Sequence, residues 1–481
     1  MAMGRRNGYQ EGLWVPTCAL ARAESHPFYE RLNELLTRHE FDRFVEEKCR
    51  RFYAAKIGQP GLAPGIYFRL LLMGYFEGIG SERGIAWRAG DSLSIRAFVG
   101  IRLEKSAPDH TTISRTRRLV DVETHREVFA WILGLLADAG LVKGKQIGID
   151  ATTLEANAAM RSIVRRDNGE SYEEFLKGLA RQSGMATPTR EDLARVDRKR
   201  KKKGSNQEWV NPNDPDARMT KMKDGSTHLA HKAEHAVDME TGAVVAVTLQ
   251  EAHLGDTTTM KETLAEAGEA VADLIAREAR TAPQEEPKVN LGSIEELVTD
   301  KGYHSGPMLT EAKAAGVRTY IPEKQQPGKR HWVGKEEEQR AVYENRRRLQ
   351  RPKGKRLLRK RGELIERTFA HCYESGGMRR THLRKHNNIL KRLLIHVAAA
   401  NLGLLLRTMY GSGTPRSLQG LSVTLDLFMG LLAHGGDWGK TKWSRAVPVT
   451  FWHAVSPSYH PAPCCHSGHS KTEKLTSTPD C

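Results

Sequence analysis

The stretch Gln146-Ile-Gly-Ile-Asp-Ala-Thr-Thr-Leu154 decides the fold class of this chain. Apolar and β-branched residues dominate it, and the helical spacing that precedes it stops at Gln146. The stretch predicts a short strand that ends near Asp150. Functional side chains gather at the carboxyl ends of strands in mixed α/β sheets, so Asp150 is a candidate functional residue.

The residues after this strand predict a mixed α/β layer. Two further strands are joined by Asp238-Met-Glu-Thr-Gly242, a hairpin signal in which glycine is available for a positive φ. A second aspartate, Asp300, ends the fourth strand in Val298-Thr-Asp-Lys-Gly-Tyr303. The predicted elements are strands at Thr227–Val237, Ala243–Gln250, Ile294–Thr299 and Val317–Ile321, and helices at Thr257–Glu278 and Pro307–Ala315.

The residues before Gln146 predict an all-helical section. Apolar residues recur at helical spacing from about Phe28 to Val142. In Thr111-Thr-Ile-Ser-Arg-Thr-Arg-Arg118, small polar residues and arginines suit a helix that reads the DNA major groove. They equally suit an ordinary surface helix, and both interpretations stay open.

Two hydrophilic stretches interrupt the α/β pattern. The stretch Asn157–Asp224 predicts a loop-rich insertion, and Arg346–Arg361 contains ten Lys or Arg and no acid. A helix is expected from about Glu363 to Tyr373, and the apolar run Leu393–Leu406 predicts a buried helix. The predicted organisation is an N-terminal arm at 1–27, a helical domain at 28–143, an α/β domain at 144–410 with basic insertions at 157–226 and 323–361, and a weakly structured tail at 411–481.

Composition narrows the class of partner. The 481 residues carry 75 Lys and Arg against 58 Asp and Glu, a formal charge of +17. Such an excess favours a polyanionic partner, most often nucleic acid, although some basic soluble proteins bind none. The six cysteines have no disulfide-framework spacing, the N-terminus lacks a signal-peptide pattern, and no apolar run is long enough to span a membrane. A reducing cytoplasm is the expected location.

Three acids are placed where catalysis on phosphodiesters would need them. Asp150 and Asp300 end strands, and Glu366 lies on the helix after the second basic run. Mg²⁺ prefers carboxylate oxygens, and two such ions activate an attacking oxygen and stabilise a leaving one. Taken alone, an acid at a strand end is more often a cap or turn residue.

The sequence resembles the DDE transposases of bacterial insertion sequences over about residues 28–407. The resemblance depends on the order and spacing of six sequence motifs taken together and not on any one of them. They are Ile149-Asp-Ala-Thr-Thr-Leu-Glu-Ala-Asn157, Thr299-Asp-Lys-Gly-Tyr-His304, Ile365-Glu-Arg-Thr-Phe-Ala-His371, Arg379-Arg-Thr-His-Leu-Arg384, Ala400-Asn-Leu-Gly-Leu-Leu-Leu-Arg407 and, in the helical section, Pro108-Asp-His-Thr-Thr-Ile-Ser-Arg115.

The resemblance implies a fold and a set of catalytic residues. The fold would be an RNase H-like α/β catalytic core with a mixed five-stranded sheet and flanking helices, preceded by an all-α N-terminal transposase domain at 28–143 that is expected to bind DNA. Asp150, Asp300 and Glu366 would be the catalytic residues and the ligands of two Mg²⁺ or Mn²⁺ ions. Glu363 lies one turn before Glu366 and is the alternative third acid; the family wording Glu-Arg-Thr-Phe favours Glu366. Gly302 is expected to allow a tight turn beside the metals.

The resemblance also implies an activity and partners. A transposase cleaves double-stranded DNA at the terminal inverted repeats of its element and joins the ends to target DNA, and a homodimer on DNA is expected in the bacterial cytoplasm, associated with the nucleoid. The alternatives are an RNase H-like nuclease without strand transfer and an inactive, sequence-specific DNA-binding relative. Basic residues between and after the acids are expected to contact phosphates, although such runs are usually solvated loops: Arg198, Lys199, Arg200, Lys201, Arg346, Arg347, Arg348, Arg367, Arg379 and Arg380.

Overall fold

The fold is a mixed β-sheet whose helical neighbours share one core with it. A computed structural model describes residues 26–54, 58, 61–200, 204–222, 225–284, 286–325 and 330–418. The tail expected at 411–481 therefore lies outside the described residues from 419 onward.

The described residues of the front section form seven α-helices and confirm its predicted helical character. Polar N-caps start most of them: Ser81, Ser92, Asp109 and Asp121 each accept a hydrogen bond from a backbone N–H in the first turn of the helix that follows. The helices are α1 Pro27–Arg38, α2 Phe41–Cys49, α3 Pro64–Phe76, α4 Glu82–Asp91, α5 Leu93–Val99, α6 His110–Leu119 and α7 Val122–Asp138.

The main sheet confirms the mixed α/β layer and contains six strands rather than five. The extra strand is a four-residue segment of the first insertion that pairs with the start of the following strand. The strands are β1 Gln146–Glu155, β4 Arg218–Lys221, β5 Thr227–Asp238, β6 Val244–Glu251, β7 Glu296–Thr299 and β8 Arg318–Tyr320, and a separate pair is formed by β2 Val164–Arg165 and β3 Trp209–Val210.

The strand order runs β6, β5, β1, β7, β8 across the sheet, with β4 beside β6 on the same edge of β5. The pairs β6–β5 and β5–β1 are antiparallel, and β1–β7 and β7–β8 are parallel. Gly242 closes the predicted hairpin between β5 and β6 at φ +85°, while the Asp238 carboxylate accepts the backbone N–H groups of Lys143, Gly144 and Glu240.

The helices that flank the sheet differ from prediction in the two basic regions. The stretch Asn157–Asp224 is not mainly loop: it contains two capped helices, because apolar residues such as Leu176 and Leu193 pack together at helical spacing. The helix that carries Glu366 begins at Pro352 rather than near Glu363. These helices are α8 Tyr172–Gln182, α9 Arg190–Lys199, α10 Asp256–Thr281, α11 Gly306–Ala314, α12 Glu336–Gln350, α13 Pro352–Phe369 and α14 His386–Tyr410, and a π-helical turn at Ala370–Ser375 follows α13.

Helix α14 ties the front helices to the sheet. Among the described residues it is the helix long and apolar enough to cross a membrane, but 89% of its apolar window is buried inside the protein. Asn401 on this helix pairs with both the N–H and the C=O of Val244 on β6 (2.9 and 2.8 Å), while Arg392 donates to the carbonyl of Ile79 before α4 (2.9 Å). The described residues up to 418 consequently belong to one compact unit.

Three histidines lie in this shared core and are called the buried histidines below: His125, His235 and His396. Burial lowers the pKa of each to about 3, because a charged imidazole would lose its hydration there. They are therefore neutral in the folded protein at neutral pH.

Candidate active site

The register of two parallel strands brings the candidate aspartates side by side. Ile149 on β1 is level with Thr299 on β7, and the next residue along each strand is an aspartate. Neighbouring strands are about 4.8 Å apart. Asp150 and Asp300 thus occupy equivalent positions on neighbouring strands. Asp300 follows the end of β7, but β1 continues to Glu155, so the prediction that the first strand ends near Asp150 is wrong and Asp150 lies within the strand.

The Asp150 carboxylate is held by a cation from another element. Arg361 on α13 donates to its Oδ2 (2.8 Å), and the Asp150 side chain is 24% exposed. Burial raises the pKa of the Asp150 carboxyl; the Arg361 guanidinium opposes this rise, and the negative charge of Asp300 adds to it. The two aspartates are therefore close enough to repel each other, and a cation at this edge relieves that repulsion.

Asp300 ends β7 and caps the short 3₁₀ turn that follows. Its Oδ1 accepts the backbone N–H of Gly302 (2.7 Å), which fixes the carboxylate over the turn. A Cβ atom on Gly302 would lie 2.3 Å from Asp256 Oδ2 and 2.8 Å from Asp300 Oδ1. The expected tight turn at Gly302 is confirmed, and its glycine is required because a Cβ has no space there.

A buried polar network lies under this turn, and no sequence pattern predicted it. The Glu234 side chain is fully buried and accepts hydrogen bonds from the hydroxyls of Tyr303 (2.8 Å), Thr259 (2.9 Å) and Thr263. Lys232 joins the network to the turn. Its Nζ binds Asp256 Oδ1 (2.6 Å) and Thr259 Oγ1 (3.1 Å). Glu234 lies within β5 and Asp256 at the start of α10. In both elements the periodicity of the sequence indicates only ordinary polar positions there.

Glu366 is not joined to the two aspartates in this structure. Helix α13 reaches β1 through Arg361, which contacts Asp150, and through Ile365, which packs against Gly148. Glu366 is exposed on the next position of the helix, and no hydrogen bond or ion pair links it to either aspartate. The alternative acid, Glu363, is also exposed and pairs with Arg367 (2.5 Å).

The expected metal ligands fit a divalent metal ion only in part. Asp150 and Asp300 supply carboxylate oxygens at one sheet edge, the chemistry that Mg²⁺ and Mn²⁺ prefer. Within the described part of the chain, however, no group of three or more His, Cys, Asp or Glu residues is arranged to hold a metal. Two of the three expected ligands are brought together, and the third is not.

Several of the candidate DNA-binding residues are exposed near this edge. Arg379 donates to Thr152 Oγ1 (3.1 Å), two residues beyond Asp150 on β1, and Arg380 lies 3.7 Å from Glu155 at the end of the same strand. Four others are exposed on helices: Arg198 and Lys199 on α9, Arg347 on α12 and Arg367 on α13.

The remaining basic candidates are placed differently. Arg346 binds Glu323 through two nitrogens (2.8 and 3.0 Å), Arg348 binds the carbonyl and hydroxyl of Thr319, and Arg200 lies over the ring of Phe175. These three side chains hold elements of the protein together. Lys201 lies outside the described residues.

Two protein families match much of the chain, and both are families of transposase domains. A transposase domain family, DUF772, matches residues 19–119, and a transposase DDE domain matches residues 192–402. The second match includes Asp300 and Glu366 and begins after Asp150. No curated protein matches the chain significantly.

Proposed function

Since the chain belongs to the DDE transposases of insertion sequences, we propose that Asp150 and Asp300 are its paired catalytic aspartates and that Glu366 completes the acid triad. The observation that carries the proposal is the parallel register of β1 and β7, which sets the two aspartates side by side. The strand order β6, β5, β1, β7, β8 supports an RNase H-like catalytic core.

The proposed reaction consists of two phosphodiester displacements at the element end. Water attacks the phosphorus, the 3′ oxygen leaves and takes a proton, and the resulting 3′-hydroxyl then attacks target DNA and releases a target 3′-oxygen. Divalent ions, when bound, stabilise the attacking and leaving oxygens of such displacements. Asp150 and Asp300 are the proposed holders of Mg²⁺ or Mn²⁺, two ions being expected, together with Glu366.

The chain's own residues prepare this site before DNA arrives. Gly302 donates to Asp300, the buried Glu234 holds Tyr303 in the turn that follows Asp300, and Arg361 neutralises Asp150. Asp150 would hold a divalent ion in place of Arg361, and Glu366 on the same helix would be the third carboxylate of the site. Arg361 is then free to bind a phosphate.

The proposed partners are the terminal inverted repeats of the element and its target DNA. Arg379 and Arg380 flank the carboxyl end of β1 and are proposed to hold the strand being cut. Two element ends must be processed together, so a homodimer on DNA is proposed, acting in the bacterial cytoplasm at the nucleoid.

The test is cleavage and joining of the DNA ends that flank the chain's own gene. Labelled end duplexes are incubated with a plasmid target in Mg²⁺ or Mn²⁺, and wild type is compared with Asp150→Asn and Asp300→Asn. Cleaved and joined products from wild type, with binding but no products from either variant, are expected. Cleavage without joining would identify a nuclease, and binding alone in the wild type would identify an inactive DNA-binding relative.

A further inference from the structure

A small cavity lies where the β5–β6 hairpin meets helices α13 and α14, and we call it the hairpin pocket. Its polar lining comes from five separate elements. The residues are Tyr75 on α3, Thr241 in the hairpin turn, Arg367 on α13, His371 in the π-helical turn and Arg407 near the end of α14.

The hairpin pocket is separate from the two catalytic aspartates. The hairpin turn begins at Asp238, which is level with Ile147 near the start of β1, whereas Asp150 lies further along that strand. The pocket therefore lies near the start of β1, and a ligand in it would not be the one that the aspartates hold.

The size of the pocket suits a compact ligand. Its volume is about 60 Å³, and a water-sized group needs about 15 Å³ by the same measure, so there is room for about four such groups. Two glycines form part of the wall, because a Cβ on Gly403 would lie 2.9 Å from the carbonyl oxygen of Gly413. A tetrahedral anion with four oxygens matches this space.

The lining is positively charged. It contains two arginines and no Asp or Glu. Within the described part of the chain, Arg407 forms no ion pair and its guanidinium makes no hydrogen bond. Arg367 pairs with Glu363 (2.5 Å), but both side chains are more than half exposed, so this pair is weak and open to exchange.

A buried hydroxyl without a partner lies in the same lining. Tyr75 is 7% exposed, and among the described residues its hydroxyl makes no hydrogen bond. Buried tyrosine hydroxyls usually have a partner. Burial raises the pKa of the Tyr75 hydroxyl and the Arg407 guanidinium opposes this rise, so the hydroxyl is protonated and lies near that cation. It can therefore donate to an anion held by Arg407.

Two further polar side chains of the pocket also have protons to donate. The Thr241 hydroxyl accepts the N–H of Ala243 (3.3 Å), which leaves its own proton for a ligand. Burial lowers the pKa of His371, and the positive charges of Arg407 and Arg367 lower it further. A bound anion would offset the mutual repulsion of these basic groups.

We propose that the hairpin pocket binds a tetrahedral oxyanion, either free phosphate or the terminal phosphate of a small phosphate ester. Arg407 supplies the charge, and Tyr75 and Thr241 donate hydrogen bonds to the anion. An anion that joins Arg407 to Arg367 would tie α14 to α13, the helix that carries Glu366. None of the three acids takes part in binding, so the proposal stands apart from the proposed function.

The test is a calorimetric titration of the full chain with inorganic phosphate. Chloride keeps the ionic strength constant, and EDTA ensures that no divalent ion carries the phosphate. Arg407→Ala is compared with Arg280→Ala, because both arginines are exposed in the last turn of a long helix and neither forms an ion pair with a described residue. Both substitutions remove the same interaction with the helix dipole. Urea unfolding without phosphate checks that each variant is folded.

We expect wild type and Arg280→Ala to bind phosphate saturably and Arg407→Ala to bind it at least about 10-fold more weakly. Arg407→Lys should recover part of the affinity, since it keeps the charge but not the forked donors. Tyr75→Phe should weaken binding by about 3- to 10-fold and leave the urea midpoint without phosphate unchanged, because the hydroxyl has no partner to lose. A purely structural role for Tyr75 would instead change that midpoint and not the affinity.

Competition with a pentose 5-phosphate distinguishes the two sources of the anion. Equal or tighter binding of the ester would assign the pocket to a phosphate ester, and weaker binding would assign it to free phosphate. Either result supports the site.

Three results would overturn the proposal. The first is no saturable binding of phosphate by the wild type beyond that of chloride, and the second is equal phosphate affinity in Arg407→Ala and Arg280→Ala. The third is displacement of phosphate by an unphosphorylated DNA duplex with the same dependence on Arg407, since the pocket would then belong to a DNA-binding surface.

Discussion

Replacing Gly302 with alanine tests whether the turn after β7 is what positions the second aspartate. The added Cβ would lie 2.3 Å from Asp256 Oδ2 and 2.8 Å from Asp300 Oδ1, whereas ordinary contacts begin at 3.4 Å. The Asp256 carboxylate must therefore retreat by about 1 Å and that of Asp300 by about 0.6 Å.

Neither carboxylate is free to retreat without loss. Asp256 is held by Lys232 (2.6 Å), and Asp300 is held by the N–H of Gly302 itself (2.7 Å). A displacement of about 1 Å in a catalytic group costs about 100-fold in rate, so a retreat of about 0.6 Å by Asp300 is expected to cost about 10-fold. Overpacking at such a site lowers the free energy of unfolding by about 1–3 kcal/mol.

We expect Gly302→Ala to bind the end duplex normally and to cleave it about 10-fold more slowly. The matched control is Gly268→Ala on α10, where an added Cβ meets nothing within 4 Å and the helix gains up to about 1 kcal/mol. Single-turnover cleavage and urea unfolding are measured on both variants. Cleavage by Gly302→Ala within threefold of wild type would refute the steric argument.

Three further expectations follow from the same contacts. Tyr303→Phe removes a donor from the buried Glu234 and should lower the free energy of unfolding by about 1–3 kcal/mol; an unchanged urea midpoint would contradict this. Arg361→Ala leaves Asp150 without its cation and should lower the free energy of unfolding without metal by up to about 3 kcal/mol. The variant should also show a larger increase in melting temperature on addition of Mn²⁺ than the wild type does. Equal increases in the two proteins would show that the ion does not replace the guanidinium. The buried histidines have pKa values lowered to about 3, against 6.5 in the unfolded chain. The free energy of unfolding is therefore highest above pH 6.5 and falls as the pH drops toward 3, by up to about 4 kcal/mol for the three histidines together at pH 5.5. Urea midpoints that stay constant from pH 7.5 to 5.5 would exclude this linkage.

Local sequence determined most of the sheet and the place of its two aspartates. Alternating and β-branched residues predicted the strands that carry Asp150 and precede Asp300, and the hairpin residues around Gly242 predicted the β5–β6 turn. The end of the first strand was placed at Asp150, whereas pairing with β5 continues β1 to Glu155. These features depend on contacts between residues that are close in sequence, and such contacts can be predicted from the hydrophobic periodicity. The family resemblance added the role of the acids, which the strand pattern alone does not supply.

Only the tertiary structure decided which side chains surround those aspartates. Arg361 binds Asp150 across 211 residues of sequence, and Tyr303 reaches Glu234 across 69. The same holds for the front section, which shares its core with the sheet because α14 returns from the far end of the chain to pack between them. Hydrophobic periodicity indicates which positions of a helix or strand are buried. The partner of a buried charge, however, depends on how segments distant in sequence pack together. No local pattern in a single sequence records which two residues will pair.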